Sequence, residues 1–452
     1  MKKVLIANRG EVTARVARTC KRLGIETVGV FNEPDRESVH RQACDESVHI
    51  GPASLSESYL NQASLIAAAE STGCDAIHPG YGLLSEDVSF CRRVREAGLI
   101  FVGPTAEALE RALDRTAVRQ LALDAGVRIL EGTHAAVGDG GEAHDAAEQV
   151  GYPLVVKAVR SGGGVGPKLA EHPEELDQAL AHTRKRARER FGDDRVYLER
   201  ALERPRHLEV QVVADGAGHI VAVGDRECSI QRGGLRLLDE TPAPSLTCGE
   251  SGRRTQEAMY DAAISVTREA GLTGAITCEF LLDADGRAYL LELRPRLQVA
   301  HGTTEMCTNL DLVEAQLLVA QGEAIPSEFE RVHPSGHAME VRISLDPGTR
   351  LGTETLEIKE VRWPNASPGR LRIEASVMSG GRYTREHDTL LAKVTSFAPT
   401  RHAAFLLLDR VLAESSLAPL PTNSAFLRRI LAHESFRAGQ YDTSFVAQLG
   451  TR

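Results

Sequence analysis

The sequence predicts a mixed α/β fold, α+β overall, that opens with a parallel sheet. Two observations predict it. Short apolar runs alternate with helical patterns near the N-terminus, and longer strand-rich stretches joined by tight turns follow. A length of 452 residues, 42% of them hydrophobic, allows two or three domains with sizeable cores.

The first strand is Val4 to Ala7. A helix runs from Glu11 to Leu23 and stops at Gly24, where a left-handed residue ends a helix without a Cβ penalty. Thr27 to Phe31 is the next strand. Ser64 to Thr72 reads as a helix, with short strands at Ala76 to His78 and Ile100 to Val102. This alternation implies helices on both faces of a parallel sheet. No GxGxxG follows the first strand, so a dinucleotide site has little support there. A second unit starts with the helix Asp114 to Ala125, continues through a strand at Tyr152 to Ala158, and is strand-rich over Val196 to Asp225 and Ile276 to Leu293. A Pro/Gly/Ser-containing junction falls at Ile325 to Gly336. Beyond it come strands (Ala338 to Ser344, Leu371 to Ala375) and helices (Arg401 to Glu414, Asn423 to Ala432).

A net charge of −10 argues against a nucleic-acid surface. The eight cysteines form no CxxC pair and several sit in apolar runs, which suits free buried thiols in a reducing cytoplasm. The apolar run after Met1-Lys2-Lys3 is too short for a secretory signal, and no stretch is long enough to cross a membrane.

Four features carry chemistry. Ser161-Gly162-Gly163-Gly164-Val165-Gly166 could bring backbone N–H groups to phosphate oxygens, or be a surface hairpin; it is not a P-loop. Lys157 lies in the apolar strand YPLVVKA, where burial without a partner is costly. A phosphate is one partner; an edge strand that lets the lysine reach solvent is the other reading. Glu279 and Glu292 stand in CEFLL and YLLELR, on two strands joined by the turn Asp283 to Arg287. Such carboxylates can share a Mg²⁺ (Mn²⁺ being the other candidate) or be paired separately; the spacing favours sharing. Arg294-Pro295-Arg296-Leu297-Gln298 offers guanidinium groups to a planar oxyanion, or is a solvated basic loop.

Taken together these features resemble the biotin carboxylase branch of the ATP-grasp superfamily. The resemblance covers essentially the whole chain: VLIANRGE (Val4 to Glu11), HPGYGLLSE (His78 to Glu86), GYPLVVKA (Gly151 to Ala158), ERPRHLEVQVVADG (Glu203 to Gly216), RECSIQR (Arg226 to Arg232), CEFLL and GHAMEVRIS (Gly336 to Ser344). It implies a pre-ATP-grasp domain over 1–113, an ATP-grasp domain over 114–328 with a mobile lid at roughly 130–200, and a C-terminal barrel-like domain over 329–452. It further implies that Arg115, Lys157, His207, Gln231, Leu281 and the glycines 162, 163, 164 and 166 bind ATP, and that Glu199 through Leu202, with Arg200 in place of a lysine, form the adenine hinge. Glu279 and Glu292 would ligate magnesium. Tyr81, Arg294, Arg296, Gln298, the Val299 backbone, Ala300 and Arg342 would line the acceptor pocket. Lys157, Arg236, Arg296 and Arg342 would carry the catalysis.

The family pattern breaks at the acceptor end. Where the family has NTR-x-QVEH, this chain has RPRLQVAH, so the glutamate that serves as base is Ala300 and the metal-side asparagine is Arg294. A histidine and a lysine become Gly234 and Arg236. The lid keeps fewer consecutive glycines, and Leu351-Gly352-Thr353-Glu354-Thr355-Leu356 replaces FxPSxGxI. An organic carboxylate, already ionised, needs no such base. The residues therefore lead to the expectation of a carboxylate–amine ligase: it phosphorylates a small organic carboxylate to an acyl phosphate, which an amine attacks to give an amide. On this reading Ala300 and Gly234 open room for a bulkier substrate, and biotin is not required. The runner-up is a biotin carboxylase with its carrier on a separate chain, since no Met-Lys-Met signal occurs; an inactive ATP-binding homologue comes third. His301 and Glu305 are as readily structural as catalytic. Arg15, Arg18 and Arg372 match a family dimer interface, while Arg22 replaces an acidic residue there, so a homodimer is an open expectation.

Overall fold

The computed structural model describes residues 1–162, 165–346, 356–365, 369–384 and 389–450. Gly163, Gly164 and Leu351 to Thr355, singled out above, lie outside these residues.

Five parallel strands form the N-terminal sheet, in the order Glu46–His49, Glu26–Phe31, Lys3–Ile6, Ala76–His78, Ile100–Phe101. Val4 and Ile6 pack with Val12, Val16 and Cys20 of the helix Gly10–Arg22, whereas Leu5 and Ala7 join Leu65, Val88, Phe90 and Val94 on the other face. A strand covered on both faces must be apolar at every position, which is why VLIA carries no alternation. Gly24, at φ +70°, supplies the left-handed residue after the helix.

An eight-stranded antiparallel sheet makes up the rest of the framework. Its order is Ala288–Arg294, Gly274–Leu282, Arg206–Ala214, Ile220–Arg232, Leu235–Thr241, His337–Ser344, Leu390–Ala398, Leu371–Ala375. The helix Gly249–Ala270 presses Met259, Ala263 and Val266 onto Val210, Val212, Ile276 and Phe280. The helix Arg401–Glu414 does the same at the far end, with Phe405 and Leu408 against Met339, Val341 and Val394. The junction predicted at Ile325 to Gly336 has neither helix nor strand, yet the sheet passes across it, because Leu235–Thr241 pairs with His337–Ser344.

The region expected as the lid has its own small core. Strands Lys168–Ala170, Leu154–Ala158 and Val196–Arg200 form a separate sheet, and helices Gly141–Val150 and Leu176–Phe191 pack onto it through Ala147, Leu176, Leu180, Leu154 and Leu198. Single bridges, Asp114 with Arg160 and Ile129 with Leu290, join it to the body.

All eight cysteines are free, as expected, and six are buried; Cys44 is half-buried and Cys248 exposed. No described helix is long and apolar enough to cross a membrane.

Candidate functional site

Register brings the chemistry together. Glu292, Glu279 and Glu209 stand opposite one another on three neighbouring strands, and Glu209 in turn faces Arg226. Residues directly opposite in a ladder share a face. The other face of these strands (Leu208, Val210, Ile276, Cys278, Phe280) is buried under Gly249–Ala270. The polar face therefore presents a row of carboxylates, all of them buried.

Buried charge requires counter-charge, and arginines supply it. Glu279 Oε1 lies 3.1 Å from Arg294 Nε and 3.0 Å from Arg236 Nη2, and its Oε2 is 3.0 Å from His207 Nε2. Glu292 Oε2 accepts from Arg115 Nη2 at 2.9 Å, and its Oε1 is bonded to Arg294. Glu209 is bonded to Arg236, accepts from Arg226 Nε at 2.8 Å and from Gln298 Nε2 at 2.6 Å. Burial alone would raise the Glu279 carboxyl, but Arg236, Arg294 and His207 outweigh it and hold it well below the usual carboxylate range. Glu209 is held at about 2 by Arg236 and Arg226 against the same burial.

The acceptor-side residues continue from this cluster. Arg296 Nη1 donates to Gln298 Oε1 and to the Leu297 carbonyl, both at 3.0 Å, and its Nε is 3.3 Å from Glu86 Oε1. Glu86 also lies 3.6 Å from Arg294 Nη1. A Cβ on Gly162 would come 3.2 Å from Glu86 Oε2, so Glu86 also adjoins the lid.

The structure places the remaining predicted residues, and it removes two readings: an edge position for Lys157 and open room at Ala300 and Gly234. Lys157 needs no phosphate to balance it and does not sit on an edge: it lies on the central strand of its sheet, bonded to Glu199, which also accepts from Arg119 Nη1 at 2.8 Å. Arg200 directs Nη1 to the Val150 carbonyl at 3.1 Å, toward the end of a lid helix. Tyr81 is buried with its hydroxyl on Glu11 Oε1 at 2.6 Å. The Val299 N–H donates to Gln298 Oε1 at 3.1 Å and its carbonyl accepts from Lys393 at 2.9 Å. Ala300 is 0% exposed, so the missing glutamate leaves no open room. Gly234 is exposed in the turn between two strands and opens nothing either. Arg342 is tied to Asp239 at 2.9 Å. Gln231 faces Arg236 and Leu281 faces His207 in the ladders; both are half-buried, as is Leu202. A Cβ on Gly166 would meet nothing within 4 Å. His301 is buried, its pKa pushed down to about 3 by burial and by Lys393, and Glu305 pairs with Arg15 and Arg372; both are structural.

Sequence reasoning missed Glu86, Glu209 and Asp239. For Glu209 a signal existed: in RHLEVQVVA the polar residues His207, Glu209 and Gln211 alternate with Leu208, Val210 and Val212, marking one polar face of a half-covered strand.

The biotin carboxylase N-terminal domain model matches residues 1–109, the carbamoyl-phosphate synthase L chain ATP binding domain model matches 114–328, and the biotin carboxylase C-terminal domain model matches 340–448. A biotin carboxylase of Halalkalibacterium halodurans is 39% identical over 98% of this chain and 97% of its own length. The chain belongs to the biotin carboxylase family. Among solved structures, a biotin carboxylase–β,γ-ATP complex from Campylobacter jejuni superposes with a TM-score of 0.93 at 34% identity, covering 99% of this chain and 98% of that one. The biotin carboxylase domain dimer of the Hydrogenobacter thermophilus 2-oxoglutarate carboxylase, solved with MgADP, ADP and bicarbonate, gives 0.92 at 32% identity, over 99% and 97% of the two chains.

Membership of the biotin carboxylase family confirms the mixed α/β ATP-grasp fold and an ATP-dependent enzyme of the ligase type. It also overturns the carboxylate–amine ligase expected from the residues. Full-length similarity runs to biotin carboxylases, and the enlarged acceptor space on which that expectation leaned is absent, since Ala300 is sealed in the interior.

Proposed function

We propose that the chain is a biotin carboxylase: it phosphorylates bicarbonate with ATP and passes the carboxyl group to biotin held on a separate carrier. The observation that carries this reading is the continuity of the cluster. Arg115, Glu292, Arg294, Glu279, Arg236, Glu209, Gln298 and Arg296 form one chain of contacts from the nucleotide-side carboxylates to the oxyanion-side guanidinium. A phosphoryl donor and its acceptor need to meet in one pre-formed electrostatic environment.

Glu279 and Glu292 are the residues that would hold Mg²⁺, which offsets charge on the nucleotide phosphates when bound. Their oxygens suit a hard cation, with phosphate oxygens and water completing its shell; among the described residues no group of three or more His, Cys, Asp or Glu could hold a metal unaided. Lys157, half of a buried pair at the base of the lid, would reach the phosphates on closure. Arg296 would hold bicarbonate in its planar fork. Arg342 would orient the incoming ureido ring. The domain limits 1–113, 114–328 and 329–452 and a homodimer belong to the same reading; Arg15, matched to the dimer interface by the resemblance, is buried and spends its guanidinium on Glu305, Asp311 and Glu374 of its own chain.

Bicarbonate must lose a proton as carboxyphosphate forms, and residue 300 cannot take it. Glu86, the carboxylate held at Arg296, is suited to accept it. The test is ADP release with bicarbonate, with and without free biotin. Dependence on bicarbonate and stimulation by biotin support the proposal; release indifferent to both overturns it. In the same assay Glu86→Gln lowers kcat by roughly a hundredfold while the KM for ATP stays within about twofold.

A further inference from the structure

Two buried carboxylates facing each other across adjacent strands are a place for a cation, and in this chain the cation is covalently part of the protein. Arg294 closes the Ala288–Arg294 strand two residues after Glu292, so both side chains leave the same face. Its guanidinium reaches across the ladder, with Nε 3.1 Å from Glu279 Oε1 and Nη2 bonded to Glu292 Oε1. The remaining oxygens are engaged as well: Glu279 Oε2 faces His207, and Glu292 Oε2 accepts from Arg115. Arg294 is 15% exposed at its side chain and adds Glu86 as a third carboxylate contact, at 3.6 Å.

We propose that Arg294 acts as a built-in cation that bridges Glu279 and Glu292, so that the site accepts a single divalent ion together with its nucleotide instead of the pair that phosphoryl-transfer centres commonly use. This rests on the reading of the cluster as an ATP site. A guanidinium does not lose its proton in proteins, so it cannot yield its place by neutralising, as a lysine or histidine could. A second dication would meet like charge at close range on the two oxygens the guanidinium bridges, whereas Glu279 Oε2 and Glu292 Oε2, turned to His207 and Arg115, keep lone pairs for the ion that arrives with the nucleotide. The planar fork also fixes the spacing of the two carboxylates before any nucleotide arrives, which a diffusible ion cannot do.

The count of bound Mn²⁺ tests this without turnover. Free Mn²⁺ is followed by electron paramagnetic resonance during titration of the full chain with a non-hydrolysable ATP analogue. The expected result is one ion per chain for the wild type and two for Arg294→Asn. Two ions on the wild type, or one on Arg294→Asn, overturns the inference while leaving the proposed function standing. Failure of the analogue to bind overturns both. Should Arg294→Asn fail to fold, the wild-type count and the Arg294→Gln variant decide the matter.

Discussion

Lys157 and Glu199 show how single residues are held ready. Both are buried, each is the other's partner, and Arg119 gives Glu199 a second cation. Replacing Lys157 therefore leaves Glu199 still paired, and the loss falls on nucleotide binding more than on the fold. Lys157→Ala is expected to raise the KM for ATP about tenfold, and to cost about 1–2 kcal/mol in denaturant unfolding. The conservative Lys157→Arg should recover part of the binding. Lys157, Glu279 and Glu292 were readable from sequence because a glutamate or lysine inside an apolar strand is rare, whereas Glu209 on the same face was passed over. What each one touches was not readable. Glu279 meets His207 across a separation of 72 residues and Gln298 meets Glu209 across 89, distances over which no local pattern speaks.

At the scale of elements the pattern was more legible. The continuous apolar run at Val4 to Ala7, the stop at Gly24 and the turn at Asp283 to Arg287 are local physics, and the structure forms a strand, a helix end and a turn there. The pairing of Leu235–Thr241 with His337–Ser344 is not local, and the sequence offered a junction where the sheet in fact continues. The lid gives the element-scale prediction. It owns a core and is tied to the body by isolated bridges, the Arg119–Glu199 pair and bonds from Arg115 to the Ala158 and Arg160 carbonyls, few enough ties for it to move as a unit. A saturating ATP analogue is expected to slow amide hydrogen exchange in Leu154–Ala158 and Val196–Arg200 by at least about tenfold, with little change in the Lys3–Ile6 strand. Equal slowing in both places would mean global stabilisation without closure.

For the molecule as a whole, buried ion pairs at the middle of the eight-stranded sheet join segments far apart in the sequence. Glu240 accepts from His337 and Arg401 and is bonded to Tyr441, linking three separate segments. Burial alone would raise its carboxyl, but His337 and Arg401 win and hold it at about 2, against an ordinary 4.5. A depressed carboxyl contributes stability that is fully present above about 4.5 and is lost as pH falls toward 2. Glu240→Gln should cost about 3 kcal/mol at neutral pH and flatten the acid limb over that window, which thermal unfolding against pH measures. The central claim concerns the reaction itself. It is tested most directly by incubating the chain with MgATP, ¹⁴C-bicarbonate and free biotin and measuring acid-labile label on biotin. The account predicts ATP-dependent label that vanishes in Arg296→Ala; ATP consumed with no label on biotin would contradict it.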